Sequence, residues 1–110
     1  MTLCLEGLNR EEQEITQTLG LTMRGHTSGV IGLVIKTEEN GYFMFPSDAV
    51  YSKLNFGPSV VLPGLCVDPE SYKVNIKRLA AMKEEYQAQM VFGHDVDDFA
   101  GWKQSPYFYE

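Results

Sequence analysis

The sequence predicts a mixed α/β domain of the α+β kind: a mixed sheet organised around a β-hairpin, with two helices. Three observations carry this reading. Asn40-Gly41 separates two apolar runs and tolerates the positive φ of a tight hairpin connection. The run Val30-Ile31-Gly32-Leu33-Val34-Ile35 is bounded by Gly29 and by Glu38-Glu39, at the length of a strand. Asp68-Pro69-Glu70 opens a stretch of helical period, with Asp as N-cap, Pro at the first helical position and Glu at the positive end of the dipole.

Taken in order, residues 6–14 are polar and acid-rich. Asn9 three positions before Glu12 resembles a capped helix start, but the threonines that follow favour extended chain, so a loop or short turn is expected. Residues 19–23 read as a short strand ending at Arg24-Gly25-His26. The run 30–35 lacks polar alternation, which suits a strand covered on both faces. Its hairpin partner is Tyr42-Phe43-Met44-Phe45, stopped by Pro46. Gly57-Pro58 and Pro63-Gly64 make residues 50–67 an irregular loop. In the helix after Asp68, Tyr72, Ile76, Leu79 and Ala80 share a face that Met82 and Tyr86 widen, while Lys73, Lys77, Lys83 and Glu84 take the wet side. Residues 88–92 form a strand ending at Gly93-His94-Asp95, residues 96–103 a last helix, and Pro106-Tyr107-Phe108-Tyr109 an aromatic tail.

The 110 residues fit one domain, and a 44% apolar fraction is ordinary for a packed one. Nine Lys and Arg against fifteen Asp and Glu give a net charge of −6, which argues against a nucleic-acid binder relying on a basic face. No apolar stretch is long enough to span a membrane. Cys4 and Cys66 form no C-x-x-C pair, so a zinc ribbon or thioredoxin-like motif is excluded and two reduced thiols are expected. Residues 1–6 lack the basic and apolar regions of a signal peptide, and a cytoplasmic location is expected.

The chemistry-bearing residues are few. Both histidines, His26 and His94, follow a glycine at the expected C-terminal end of a strand, where ligands bind in open α/β sheets. Asp48 stands just after the hairpin strand. Two imidazoles and a carboxylate suit a borderline metal such as zinc. Each also has a plainer reading: a histidine after glycine can be a solvated turn residue, and Asp48 after Pro46-Ser47 a turn former. Asp95, Asp97 and Asp98 read as a solvated face favouring the last helix, and Tyr107 and Tyr109 as packing groups.

As an ordered set, these residues are similar to a known family. Gly25-His26-Thr27-Ser28-Gly29 resembles the Gly-His-Thr/Ser-Pro-Gly motif of the metallo-β-lactamase superfamily. Asp48-Ala49 follows a hairpin strand, where that superfamily places a bridging aspartate, and Phe92-Gly93-His94-Asp95 resembles its closing Gly-His motif. Within the superfamily the N-acyl homoserine lactonases, the quorum-quenching enzymes, are most similar. They share Ser47-Asp48-Ala49-Val50-Tyr51, the helical Ile76-Lys77-Arg78-Leu79, and an ending with Ser105-Pro106-Tyr107-Phe108-Tyr109. The resemblance implies an αββα sandwich in which His26 and His94 each serve one of two zinc ions and Asp48 bridges them. Tyr51 would contact the carbonyl or leaving oxygen of a lactone. It implies ring opening by a metal-bound hydroxide between metals roughly 3.5–4 Å apart.

One departure is decisive. The superfamily's His-x-His-x-Asp-His motif is missing, and two histidines are too few to hide it. Met23-Arg24 and Ser28 also stand where Thr-Pro and Pro are usual, in positions that shape a loop. With an incomplete ligand set, residues 1–110 are expected to be a single partial domain, the C-terminal half of such a fold, inactive alone. The missing N-terminal half, or self-association, would then cover an exposed apolar sheet face. Two alternatives remain: a non-catalytic interaction module that retains part of the fold, and a single weak metal site at the surface made by two His and one Asp.

Overall fold

A computed structural model of the chain describes residues 18–57 and 61–110. Cys4, Pro58 and the expected loop over 6–14 lie outside the described residues. Four strands form one sheet in the order β1 (Thr18–Thr22), β2 (Ile31–Lys36), β3 (Tyr42–Phe45), β4 (Gln89–Met90). The first three are antiparallel, and β4 runs parallel to β3 after the chain has crossed through helix α1 (Pro69–Tyr86). A short helix α2 (Val96–Ala100) follows β4. The mixed sheet, the hairpin and the two helices are thus as the sequence predicts, with shifted ends. β1 and β2 each move by one residue, the fourth strand shrinks to two residues, and the last helix stops at Ala100.

Side-chain chemistry explains the elements. In the hairpin only Gly41 uses positive φ, at 76°, and the turn is closed instead by Thr37, whose hydroxyl donates to the Gly41 carbonyl and accepts from Asn40 N–H. Asp68 caps α1 by accepting from Ser71 N–H at 3.1 Å and Ser71 Oγ–H at 2.7 Å. The bonds from Ser71 hold its carboxyl below the usual range. The loop over 50–67 carries a 3-10 turn at Lys53–Asn55, capped by Ser52.

α1 covers one face of the sheet, packing Tyr72, Ile76, Leu79 and Met82 over Leu21, Val34 and Met44. One expectation fails on this face. Ala80 is exposed, and the position that joins the stripe is Asn75, which is buried. The run 30–35, read as a strand covered on both faces, is covered on one among the described residues. Val34 is buried, while Ile31 at 56% and Leu33 at 40% form the exposed apolar sheet face that the sequence also leads one to expect. Alternate strand residues point to opposite faces, and among the described residues only the α1 side is fully covered there. At the β3 end of the other face Phe43 is buried beneath Trp102 and Tyr109, their rings 5.8 and 5.0 Å from its own. Tyr109 is therefore a packing group, whereas Tyr107 is exposed, contrary to expectation. No helix among the described residues is long and apolar enough to cross a membrane.

Candidate functional site

The two Gly-His segments and the hairpin end meet at one end of the sheet, beyond the C-terminal ends of β1, β3 and β4. After Phe45 the chain passes Pro46 and then Ser47, whose φ of 54° turns it sharply. Asp48 then lies in a 3-10 turn, with its carboxylate between the two imidazoles. His94 Nε2 is 3.0 Å from Asp48 Oδ1, and His26 Nε2 is 3.6 Å from Asp48 Oδ2. Tyr51 completes the cluster. Its ring lies 5.4 Å from the His26 ring and 4.5 Å from the His94 ring, and its hydroxyl is 3.1 Å from His26 Nδ1. Tyr51 also holds His94 through the backbone, since the His94 N–H donates to its carbonyl at 3.0 Å. The structure therefore brings together all four residues singled out from sequence.

His26 is fixed in orientation. Its Nδ1 lies 3.0 Å from the Leu65 carbonyl, which can only accept, so Nδ1 carries the proton. Nε2 is then the nitrogen that faces the Asp48 carboxylate, 3.6 Å from Oδ2, where a proton or a cation between them satisfies both. The loop bearing His26 is itself strapped to α1 and the residues leading into it. Asp68 N–H donates to the Gly25 carbonyl at 2.8 Å, Val67 N–H to the His26 carbonyl, and Asn75 Nδ2 to the Arg24 carbonyl. Gly25, at φ 150°, lies so close to the helix that a Cβ would meet Tyr72 Cα at 2.8 Å. Cys66 has a free thiol that donates to the Gly25 carbonyl at 3.6 Å.

His94 is held differently. Asp95 caps α2 by accepting from Asp98 N–H and also accepts from Lys53 N–H; these two backbone bonds, Lys53's the larger influence, lower its carboxyl's pKa. Asp98 is not part of a solvated face. Its side chain is inward, accepting from Trp102 Nε1 at 3.0 Å and Phe92 N–H at 3.3 Å, with Lys53 Nζ at 3.1 Å. Burial pushes this carboxyl up, but the Trp102 and Lys53 bonds outweigh it and leave it lowered. Asn75, Asp98 and the Leu65 carbonyl are the supports that sequence reasoning missed. A polar residue inside the apolar stripe of α1 was the available signal for Asn75, and Trp102 four residues on was the signal for Asp98; nothing local marks Leu65 as a partner.

The donors present are two imidazole nitrogens and the oxygens of one carboxylate, types that suit a borderline divalent ion. Their number falls short of a closed four-ligand shell. Among the described residues no group of three or more His, Cys, Asp and Glu stands ready to hold a metal ion by itself. The donor chemistry fits a metal as part of a larger ligand set.

No family profile matches the chain. It is similar to N-acyl homoserine lactonase AiiB of Agrobacterium fabrum, 31% identical over 109 residues that cover 96% of this chain and 40% of the relative. It is also similar to AiiA of Bacillus thuringiensis subsp. kurstaki, 37% identical over 73 residues, 66% of this chain and 28% of the relative. Among solved structures, an N-acyl homoserine lactone hydrolase with the product N-hexanoyl-L-homoserine at its catalytic metal centre matches at a TM-score of 0.76 and 32% identity. That match covers 86% of this chain and 36% of the other. The chain spans about 40% of the length of the first of these relatives.

Proposed function

We propose that this chain, which is homologous to part of the N-acyl homoserine lactonases and carries part of their αββα metallo-β-lactamase fold, supplies one side of a lactone-hydrolysing site. The observation that carries the reading is the bridging of two imidazoles by the two oxygens of Asp48, with the Tyr51 phenol between the rings. His26 through Nε2, Asp48 and His94 would hold divalent metal, zinc being suited to these donors. Bound metal supplies Lewis acidity toward an ester carbonyl. Asp48 takes His94 Nε2 on Oδ1 at 3.0 Å and turns Oδ2 toward His26 Nε2 at 3.6 Å. The Leu65 carbonyl holds the proton on His26 Nδ1 and so keeps Nε2 facing the carboxylate. The Tyr51 hydroxyl would donate to the carbonyl or leaving oxygen of a lactone.

The remaining ligands would come from sequence matching the part of the relatives that this chain does not span, which would also cover Ile31, Leu33 and Phe45. In this reading residues 1–110 are a partial domain, inactive alone, and the free thiol of Cys66 suits a reducing compartment such as the cytoplasm. Co-production with the preceding portion of the AiiB relative tests it. The pair should open an N-acyl homoserine lactone in a metal-dependent way, measured by acid release, and each part alone should not. His94→Ala or Asp48→Asn should lower turnover by at least about 100-fold. A pair that binds metal but turns over unchanged in His94→Ala overturns the assignment. The exposed face favours one other reading, a non-catalytic interaction module. It requires a stable dimer without stoichiometric metal, and a monomer in sedimentation removes it.

A further inference from the structure

We propose that Asn75 is a positioning residue for the site: its side chain fixes the backbone before His26 and thereby the approach of His26 Nε2 to Asp48. The importance of that approach rests on the function proposed above; the clamp itself does not. Four carbonyls in the segment Thr22 to His26 are taken up by α1 or the two residues leading into it. Arg78 Nη1 donates to the Thr22 carbonyl at 3.0 Å, Asn75 Nδ2 to Arg24, Asp68 N–H to Gly25 and Val67 N–H to His26. Asn75 is central among them. It is 7% exposed, its Nδ2 holds the loop, and its Oδ1 lies 3.4 Å from Arg78 Nη1, tying the two side-chain donors together.

A buried amide in an apolar stripe costs desolvation that only its hydrogen bonds offset, and an aliphatic residue would pack there without that cost. What the amide adds is direction. Arg24 is two residues before His26, and with its carbonyl held, the Gly25 backbone lies flat on Tyr72, leaving no slack for the loop to lift. The imidazole leaves this fixed backbone already bonded to the Leu65 carbonyl and aimed at Asp48. The other arm has a tie of its own, since Asp98 accepts from Phe92 N–H two residues before His94; Asn75 reaches only the His26 arm.

Nuclear magnetic resonance of the 110-residue chain, without added metal, tests this. Asn75→Ala should shift or broaden the His26 ring signals and remove the contact between the His26 and Tyr51 rings, while the His94 signals stay. Ile76→Val, which thins the core beside Asn75 without touching the loop, should leave both rings as they were. Unchanged His26 signals in Asn75→Ala, or His26 and His94 disturbed alike, overturn the proposal. Should Asn75→Ala not fold, hydrogen exchange of the wild-type chain decides. Val67 and Asp68 amides should be protected to within about tenfold of the Leu79 amide, and free exchange there removes the clamp. Zn²⁺ titration then separates the two readings. A shift of the His26 and His94 signals that needs about tenfold more Zn²⁺ in Asn75→Ala supports both. An intact clamp in a chain whose histidines ignore Zn²⁺ counts against the metal reading alone.

Discussion

His26 and His94 share one local design in the sequence, glycine then histidine after a strand, and the fold treats them in opposite ways. The His26 side chain is 9% exposed, its ring bonded to the Leu65 carbonyl and its backbone strapped to α1. The His94 side chain is 59% exposed and is held by one backbone bond to Tyr51 and by the carboxylate they share. One arm is built into the core and the other is laid over it. The difference teaches that a metal-ligand pattern has two separable parts: donors that any strand end can present, and supports that only tertiary packing supplies. In the site proposed above, the rigid arm would set where Asp48 and its partner sit, and the exposed arm would adjust.

The glycines break this comparison most sharply. Gly25→Ala puts a methyl 2.8 Å from Tyr72 Cα in a backbone conformation that L-residues rarely adopt. The helix and the loop must separate, at a cost of about 2–4 kcal/mol. A Cβ on Gly93 meets nothing within 4 Å, and Gly93→Ala should change stability by less than about 1 kcal/mol. Urea denaturation of the two variants measures both. Equal losses would mean that the His26 arm is no more rigid than the other.

The next effect falls on the His94 arm. Asp98→Ala strips the acceptor from Phe92 N–H and Trp102 Nε1, and it leaves Lys53 without its carboxylate. Leaving such inward donors unmet costs about 1–3 kcal/mol. Because Phe92 precedes Gly93 and His94, the variant should loosen the His94 ring and spare His26, the mirror image of Asn75→Ala. Ring signals of both histidines, recorded in both variants, check this. If Asp98→Ala moves His26 as well, the two arms are one unit.

Much of this was legible in the sequence, and the reasons differ by residue. Asn40-Gly41 and Asp68-Pro69 declare a turn and a helix start through backbone chemistry that acts within a few residues, and both stand where expected. His26 and His94 stand out because only two histidines occur, Asp48 because it follows the hairpin strand, and Tyr51 through the resemblance to the lactonases; the structure brings the four together. The failures are tertiary. Ile31 and Leu33 read as buried because an apolar run carries no mark of which face is covered. Asp98 read as solvated because its ion-pair partner Lys53 arrives from far along the chain, although Trp102, four residues on, was a local signal. Ala80 and Asn75 exchanged roles because the loop that Asn75 holds arrives from far along the chain. The supports of the site were therefore harder to read than the site.

At neutral pH the smallest effect comes from Tyr72, in the turn of α1 that Gly25 touches. Its ring is 1% exposed, and its hydroxyl has no hydrogen-bond partner among the described residues. Burial, reinforced by Cys66 and Tyr51, pushes the phenol up to about 12 from its ordinary 10. At neutral pH both folded and unfolded chains keep this proton, so Tyr72→Phe removes only an unpaired hydroxyl. Stability should hold or rise by up to about 1 kcal/mol. Between pH 10 and 12 the unfolded chain releases the proton and the folded chain keeps it, so the native state loses stability as pH rises through that window. The loss approaches roughly 2–3 kcal/mol once pH exceeds the folded value, and Phe at this position does not share it. Denaturation of the two proteins at pH 7, 10 and 11.5 should show a gap that widens with pH. Since Tyr72 underlies Gly25, alkaline loosening should reach the His26 ring before the His94 ring. A constant gap would mean that the phenol under the rigid arm is already solvated, and the contrast between the arms would lose its basis there.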